Sequence, residues 1–84
     1  MKNKIIIYTQ ANCRQSDKVR QLLSSKKVDF LEKEITHDVL LKREMIERTG
    51  GRSVTPQIFV EGKYVNGLEE LQDKINSLVE SKAA

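Results

Sequence analysis

The chain is poor in the residues that staple or punctuate a fold: one cysteine, one proline, four glycines and no tryptophan among 84 residues. A single cysteine, Cys13, excludes an intrachain disulfide framework. With the lone histidine, His37, it cannot supply the three or four ligands of a usual zinc site, so any metal would have to be shared with another molecule. Long apolar runs are missing as well. Ile5, Ile6 and Ile7 fall far short of the roughly 20 residues that span a bilayer or the core of a secretory signal. The expected setting is therefore the cytoplasm, where thiols stay reduced, with no membrane contact. Charge is not concentrated in one sign: the net +3 is spread, with lysines and arginines interleaved among acidic residues, which argues against a nucleic-acid partner. Repeats and low-complexity stretches are absent, and 38% hydrophobic with 32% charged residues is the balance of a globular protein. The length predicts one domain, 1–84.

What is present is periodic. Lys4 to Tyr8 is short, apolar and β-branched, the pattern of a buried strand. From about Arg14 to Lys27, Val19, Leu22 and Leu23 recur at helical spacing. Val28 to Ile35 sets Val28, Phe30 and Ile35 among charges, as in a half-exposed edge strand. Thr36 or Asp38 can cap a second helix, on which Leu41 with Met45, or Val39 with Ile46, share a face before Gly50 and Gly51 stop it. Gln57 to Val60, a turn at Glu61 and Gly62, and Lys63 to Val65 predict a hairpin. Asn66, three residues before Glu69, resembles a capping box. It opens a helix whose stripe is Leu68, Leu71, Ile75, Leu78 and Val79, with a ragged tail from Ser81 to Ala84. The order β-α-β-α-β-β-α predicts an α/β fold with a four-stranded mixed sheet flanked by three helices.

Cys13 falls where the first strand hands over to the first helix. Free backbone N–H groups and the helix dipole favour a negative charge there, and Arg14 and Lys18 add positive charge nearby, so Cys13 is a candidate nucleophile. His37 lies at the start of the second helix and is assigned no role. Tyr8, Phe30 and Phe59 fall at strand positions and read as core.

Three separated stretches then share a resemblance. Ile7 to Cys13 with Val19 to Leu23, Arg43 to Arg52 followed by Pro56 to Val60, and Val65 to Leu71 resemble, in that order, the start, middle and C-terminal signature of the glutaredoxins. The resemblance implies a thioredoxin-like fold and glutathione as co-substrate. It also implies that Pro56 is a cis-proline facing Cys13, and that Thr55 offers its backbone to the peptide part of glutathione. The start of the last helix, at Gly67, Leu68 and Glu69, would receive the γ-glutamyl carboxylate. Gln10, Arg14 and Arg52 belong to the same implied glutathione set, and Arg43 and Arg48 are further carboxylate partners.

Departures from the family pattern are specific. Where most of the family has CPYC, this chain has Cys13, Arg14, Gln15 and Ser16. A serine at the resolving position cannot form the second half of a disulfide, but its hydroxyl, one turn on, can hydrogen-bond the Cys13 thiolate. Gln10 replaces a common lysine, Val54-Thr55-Pro56 replaces Thr-Val-Pro, and Asn66 replaces the first of two glycines.

The resulting expectation is a thiol-disulfide oxidoreductase acting on glutathione mixed disulfides by a monothiol route through Cys13 and Ser16. Its partners would be glutathione and glutathionylated proteins or small disulfides, and it would work as a monomer. Three alternatives stand beside it: an iron–sulfur carrier in which two chains each give Cys13, a redox-inactive thioredoxin-fold adaptor, and a dithiol protein whose resolving cysteine has been exchanged for Ser16.

Overall fold

Three consecutive isoleucines can all meet apolar neighbours only in a sheet covered on both faces, because successive strand residues point to opposite sides. That is their setting in the computed structural model, which describes residues 5–83 and side chains as far as residue 77. The elements are β1 (Ile5–Thr9), α1 (Arg14–Ser25), β2 (Leu31–Glu34), α2 (Val39–Arg48), β3 (Gln57–Val60), β4 (Lys63–Val65) and α3 (Gly67–Ala83). The sheet order is β2-β1-β3-β4. β1 runs parallel to β2, with Ile6 opposite Leu31, and antiparallel to β3, with Tyr8 opposite Gln57; β3 and β4 form the hairpin, with Phe59 opposite Tyr64. This is the thioredoxin-like α/β architecture expected.

The two faces separate cleanly. Ile5 and Ile7 pack with Val19 and Leu23 of α1, Leu71 and Ile75 of α3, and Ile58, Val60 and Val65 from the hairpin. On the other face Tyr8 packs with Met45 of α2, Ile35 and Phe59, with Ile6 and Leu41 partly buried beside them. The buried Tyr8 hydroxyl is satisfied there: it donates to Glu44 and accepts from Arg48 Nη1 at 3.0 Å. Lys33 reaches the same Glu44 carboxylate at 2.7 Å, and its hydrogen bond leads the causes that hold Glu44 below the usual carboxylate range. On the first face, Thr9 Oγ1 and Arg20 Nε both donate to Glu32 Oε2 at 2.6 Å, which ties the end of β1 to β2 and α1 and so fixes where the chain departs toward Cys13.

Several boundaries differ from the expected ones. α1 stops at Ser25, because Lys27 turns the chain at a left-handed φ of 55°. Val28 and Phe30 consequently pack on the core from the connection, and β2 begins only at Leu31. Asp38, not Thr36, caps α2: its side chain accepts from the Leu41 N–H at 3.0 Å. The Thr36 hydroxyl instead accepts from the Ala11 N–H at 2.8 Å, bracing the loop before Cys13. Of the two apolar pairings proposed for α2, Leu41 with Met45 faces the core, whereas Val39 is 74% exposed. α3 continues to Ala83, past the tail expected from Ser81. Lys4 lies outside the described residues, and Leu78 and Val79 lie outside those with described side chains. Removing the α2 cap with Asp38→Ala is expected to cost about 1 kcal/mol of stability, read as a lower urea midpoint at unchanged slope.

Candidate active site

Between β1 and α1 the chain turns through Asn12, held at φ 59°, a conformation asparagine tolerates better than most residues. This delivers Cys13 to the N-cap of α1 in extended conformation, φ −105° and ψ 109°. A cysteine there sits by the free N–H groups of the first turn, while its carbonyl accepts the first bond of the helix ladder from the Asp17 N–H at 3.1 Å.

The partly buried sulfur faces the segment before β3. The Cys13 thiol donates toward the Thr55 carbonyl at 3.7 Å, and the Thr55 hydroxyl lies 3.4 Å from the sulfur and 3.4 Å from Gln10 Oε1. The Thr55–Pro56 peptide is cis. Gln57 secures this segment by donating from Nε2 to the Val54 carbonyl at 2.8 Å. Ser16, one turn into α1, is fully buried, and its hydroxyl makes no hydrogen bond in this geometry.

The Cys13 pKa is accordingly lowered from its ordinary 9.0. The Ser16 hydroxyl is the largest cause and the Thr55 hydroxyl the next; burial opposes them, and the backbone N–H groups of Ser16 and Gln15 add smaller contributions. Hydrogen-bond donors stabilise the thiolate where cations were expected: neither Arg14 nor Lys18 figures among the causes, and both side chains are exposed.

Beside the thiol lies an open cleft of about 250 Å³. Gln15 and Val19 form one wall, Arg52, Val54 and Pro56 another, and Asn66, Gly67 and Leu68 the far end, where α3 begins. Gly67 sits at φ 92°, a backbone region that favours glycine. Of the residues expected at a glutathione site, Arg52, Pro56, Gly67 and Leu68 line this cleft, and Gln10, Ser16 and Thr55 gather around the thiol. Arg14 and Glu69 are exposed and do neither. Arg43 is exposed, and Arg48 is committed elsewhere, stacked 4.3 Å over Phe59 and bonded to Tyr8. Sequence reasoning missed Gln15, Val54, Gln57 and Tyr64 as lining residues. It also missed the Thr55 hydroxyl, having credited that residue with its backbone alone. Tyr64 was accessible from the hairpin register, which sets it opposite Phe59.

Among the described residues no group of three or more His, Cys, Asp or Glu side chains is placed to hold a metal ion, and no helix is long and apolar enough to cross a membrane.

A sequence profile of the glutaredoxin family matches residues 5–65. Glutaredoxin 3 of Escherichia coli (strain K12) is 38% identical over 65 residues, covering 77% of each chain. The solution structure of glutaredoxin from Brucella melitensis superposes with a TM-score of 0.65 at 32% identity, over 88% of this chain and 79% of that one. Glutaredoxin 1 from Francisella tularensis superposes with a TM-score of 0.70, over 90% of this chain and 95% of its own, and at 20% identity it speaks for the fold alone. With the profile covering the Cys13 loop, the cis-proline and the hairpin, this chain belongs to the glutaredoxin family.

Proposed function

We propose that the protein exchanges glutathione between mixed disulfides using one thiol. The observation that carries this is the surroundings of Cys13: two hydroxyls and two backbone N–H groups stabilise its thiolate, and the chain neighbours of Ser16 and Thr55, namely Gln15, Val54 and Pro56, line a cleft that extends to the N-terminus of α3. The Cys13 thiolate attacks the glutathione sulfur of a glutathionylated protein or small disulfide. A Cys13–glutathione disulfide forms, the original disulfide breaks, and the target leaves as a thiolate that takes a proton from water. A second glutathione thiolate then attacks the glutathionyl sulfur on Cys13, releasing oxidised glutathione and regenerating the Cys13 thiolate.

Each residue has a place in that cycle. Ser16 and Thr55 hold the thiolate as attacking and leaving group. The backbone of Thr55 borders the peptide part of glutathione, with Gln10 against its hydroxyl. Gly67 and Leu68 present the start of α3 to the γ-glutamyl carboxylate, and Arg52 supplies a cation on the cleft wall. The cycle needs neither a second cysteine nor a second copy of the chain.

Incubation with a glutathionylated peptide, followed by intact-mass analysis and peptide mapping, is expected to show one glutathionyl group on Cys13 that free glutathione removes. Capture of the target peptide on Cys13, or no adduct at all, would overturn the assignment.

A further inference from the structure

Arg52 is the one charged side chain lining the cleft among the described residues, and it has no carboxylate partner there. By contrast Arg20, Lys33 and Arg48 are engaged by Glu32, Glu44 and Tyr8. A long exposed cation ordinarily samples many rotamers, all of which must be frozen when an anion binds. Arg52 is held in advance by two neighbours. Its guanidinium lies 5.1 Å over the ring of Tyr64, and that ring is itself fixed edge-on against the buried Phe59 at 5.7 Å. Its backbone is clamped by Thr49, the C-cap of α2, whose hydroxyl accepts from the Arg52 N–H at 3.0 Å and lies 3.2 Å from the Arg52 carbonyl. Between them Gly50 and Gly51, at φ 73° and 115°, fold the chain back onto the helix end.

We infer that Tyr64 and Thr49 are positioning residues that hold Arg52 over the cleft for the carboxylate at the glycine end of glutathione. This rests on the reading of the cleft as the glutathione site. The peptide carries two carboxylates; the start of α3 at Gly67 takes one, and Arg52 is the cation left on the cleft wall for the other. A ring face attracts a guanidinium while leaving its in-plane N–H fork free, which is the edge a carboxylate needs.

The test is steady-state kinetics on two substrates: the mixed disulfide of glutathione with mercaptoethanol, and its γ-glutamylcysteine counterpart, which lacks the glycine. With the glutathione substrate, Arg52→Ala is expected to raise KM about tenfold and Tyr64→Leu about three- to fivefold, each with little change in kcat. Tyr64→Phe should recover most of the loss, and Thr49→Val should raise KM while leaving the ring in place. With the γ-glutamylcysteine substrate the Tyr64→Leu effect should vanish. An unchanged pH profile of Cys13 alkylation in each variant shows that the nucleophile and its surroundings are intact. The inference is overturned if Arg52→Ala raises KM while Tyr64→Leu and Thr49→Val do not, or if Tyr64→Leu raises it equally for both substrates. An Arg52→Ala variant with wild-type KM on both would instead refute the placement of glutathione in the cleft, and the inference with it.

Discussion

Cys13→Ser is expected to reduce glutathione-dependent disulfide exchange to the uncatalysed rate, a loss of at least about a thousandfold, because it removes the nucleophile itself. No other thiol exists in the chain to take over. Nor can a serine hydroxyl replace it: at neutral pH it is not ionised, and the donors around the site are matched to a thiolate with a depressed pKa, not to an alcohol far above that range. The substitution disturbs little else. The hydrogen bonds of the thiol are to Thr55, at 3.4 and 3.7 Å, and the Ser16 hydroxyl has none to lose. A folded variant is therefore expected, with an unchanged far-UV spectrum, and with an unchanged urea midpoint below the folded-state pKa of Cys13, where the wild type carries no thiolate to lose. The measurement is oxidation of glutathione by a mixed disulfide, coupled to glutathione reductase. Residual turnover above a few per cent of wild type would mean that the chain assists exchange without forming a bond to glutathione, and the monothiol cycle would have to be abandoned.

Most of the fold was legible because it is written in local patterns. The isoleucine run of β1, the hairpin around Glu61 and Gly62, and the stripe through Leu71 and Ile75 each fall where periodicity put them. The boundaries that moved did so for tertiary reasons. Val28 and Phe30 are apolar and spaced like strand residues, yet the chain is still turning out of Lys27, so they fill the core without joining the ladder. Val39 and Leu40 carry the right residue types for a buried helix face but lie on the outer side of α2, at 74% exposure, because Met45 and Leu41 already face Tyr8 and Phe59. At the site, the sequence was enough to place Cys13 at a helix start. It could not show what stabilises the thiolate. The nearby cations Arg14 and Lys18 were the visible signal, whereas the operative groups are neutral hydroxyls, one of them brought across 42 residues by the β3 segment. Short polar side chains act over a few ångströms, so their role depends on the packing of α1 against that segment, which no spacing rule encodes.

Ser16→Ala should separate the chemical role of that hydroxyl from its cost to the fold, with effects of opposite sign in two pH ranges. Ser16 is the largest cause of the depressed Cys13 pKa, ahead of Thr55. Without it the inflection in the alkylation rate against pH is expected to move up, and alkylation at neutral pH to slow on the order of tenfold, the worth of one hydrogen bond to a charged group. Thr55→Val should move it in the same direction by less. The folded-state pKa of Cys13 lies below its ordinary 9.0, so between the two values the folded protein binds fewer protons than the unfolded chain and stability rises with pH. This contribution is complete above 9.0 and is lost as pH falls through the folded value. Below that value the balance reverses: the buried Ser16 hydroxyl is unpartnered beside a neutral thiol, a desolvated polar group that alanine does not carry. Ser16→Ala is thus expected to be more stable than wild type by about 1 kcal/mol in the thiol range, with the advantage shrinking as Cys13 ionises and the wild type gains its S⁻ to hydroxyl bond. Urea midpoints measured across that span, together with the alkylation profile, give both readouts. If the inflection stays put and the variant is destabilised equally at every pH, the Ser16 hydroxyl is serving the packing of α1 and not the thiolate, and the reactivity of Cys13 would have to rest on Thr55 and the backbone N–H groups alone.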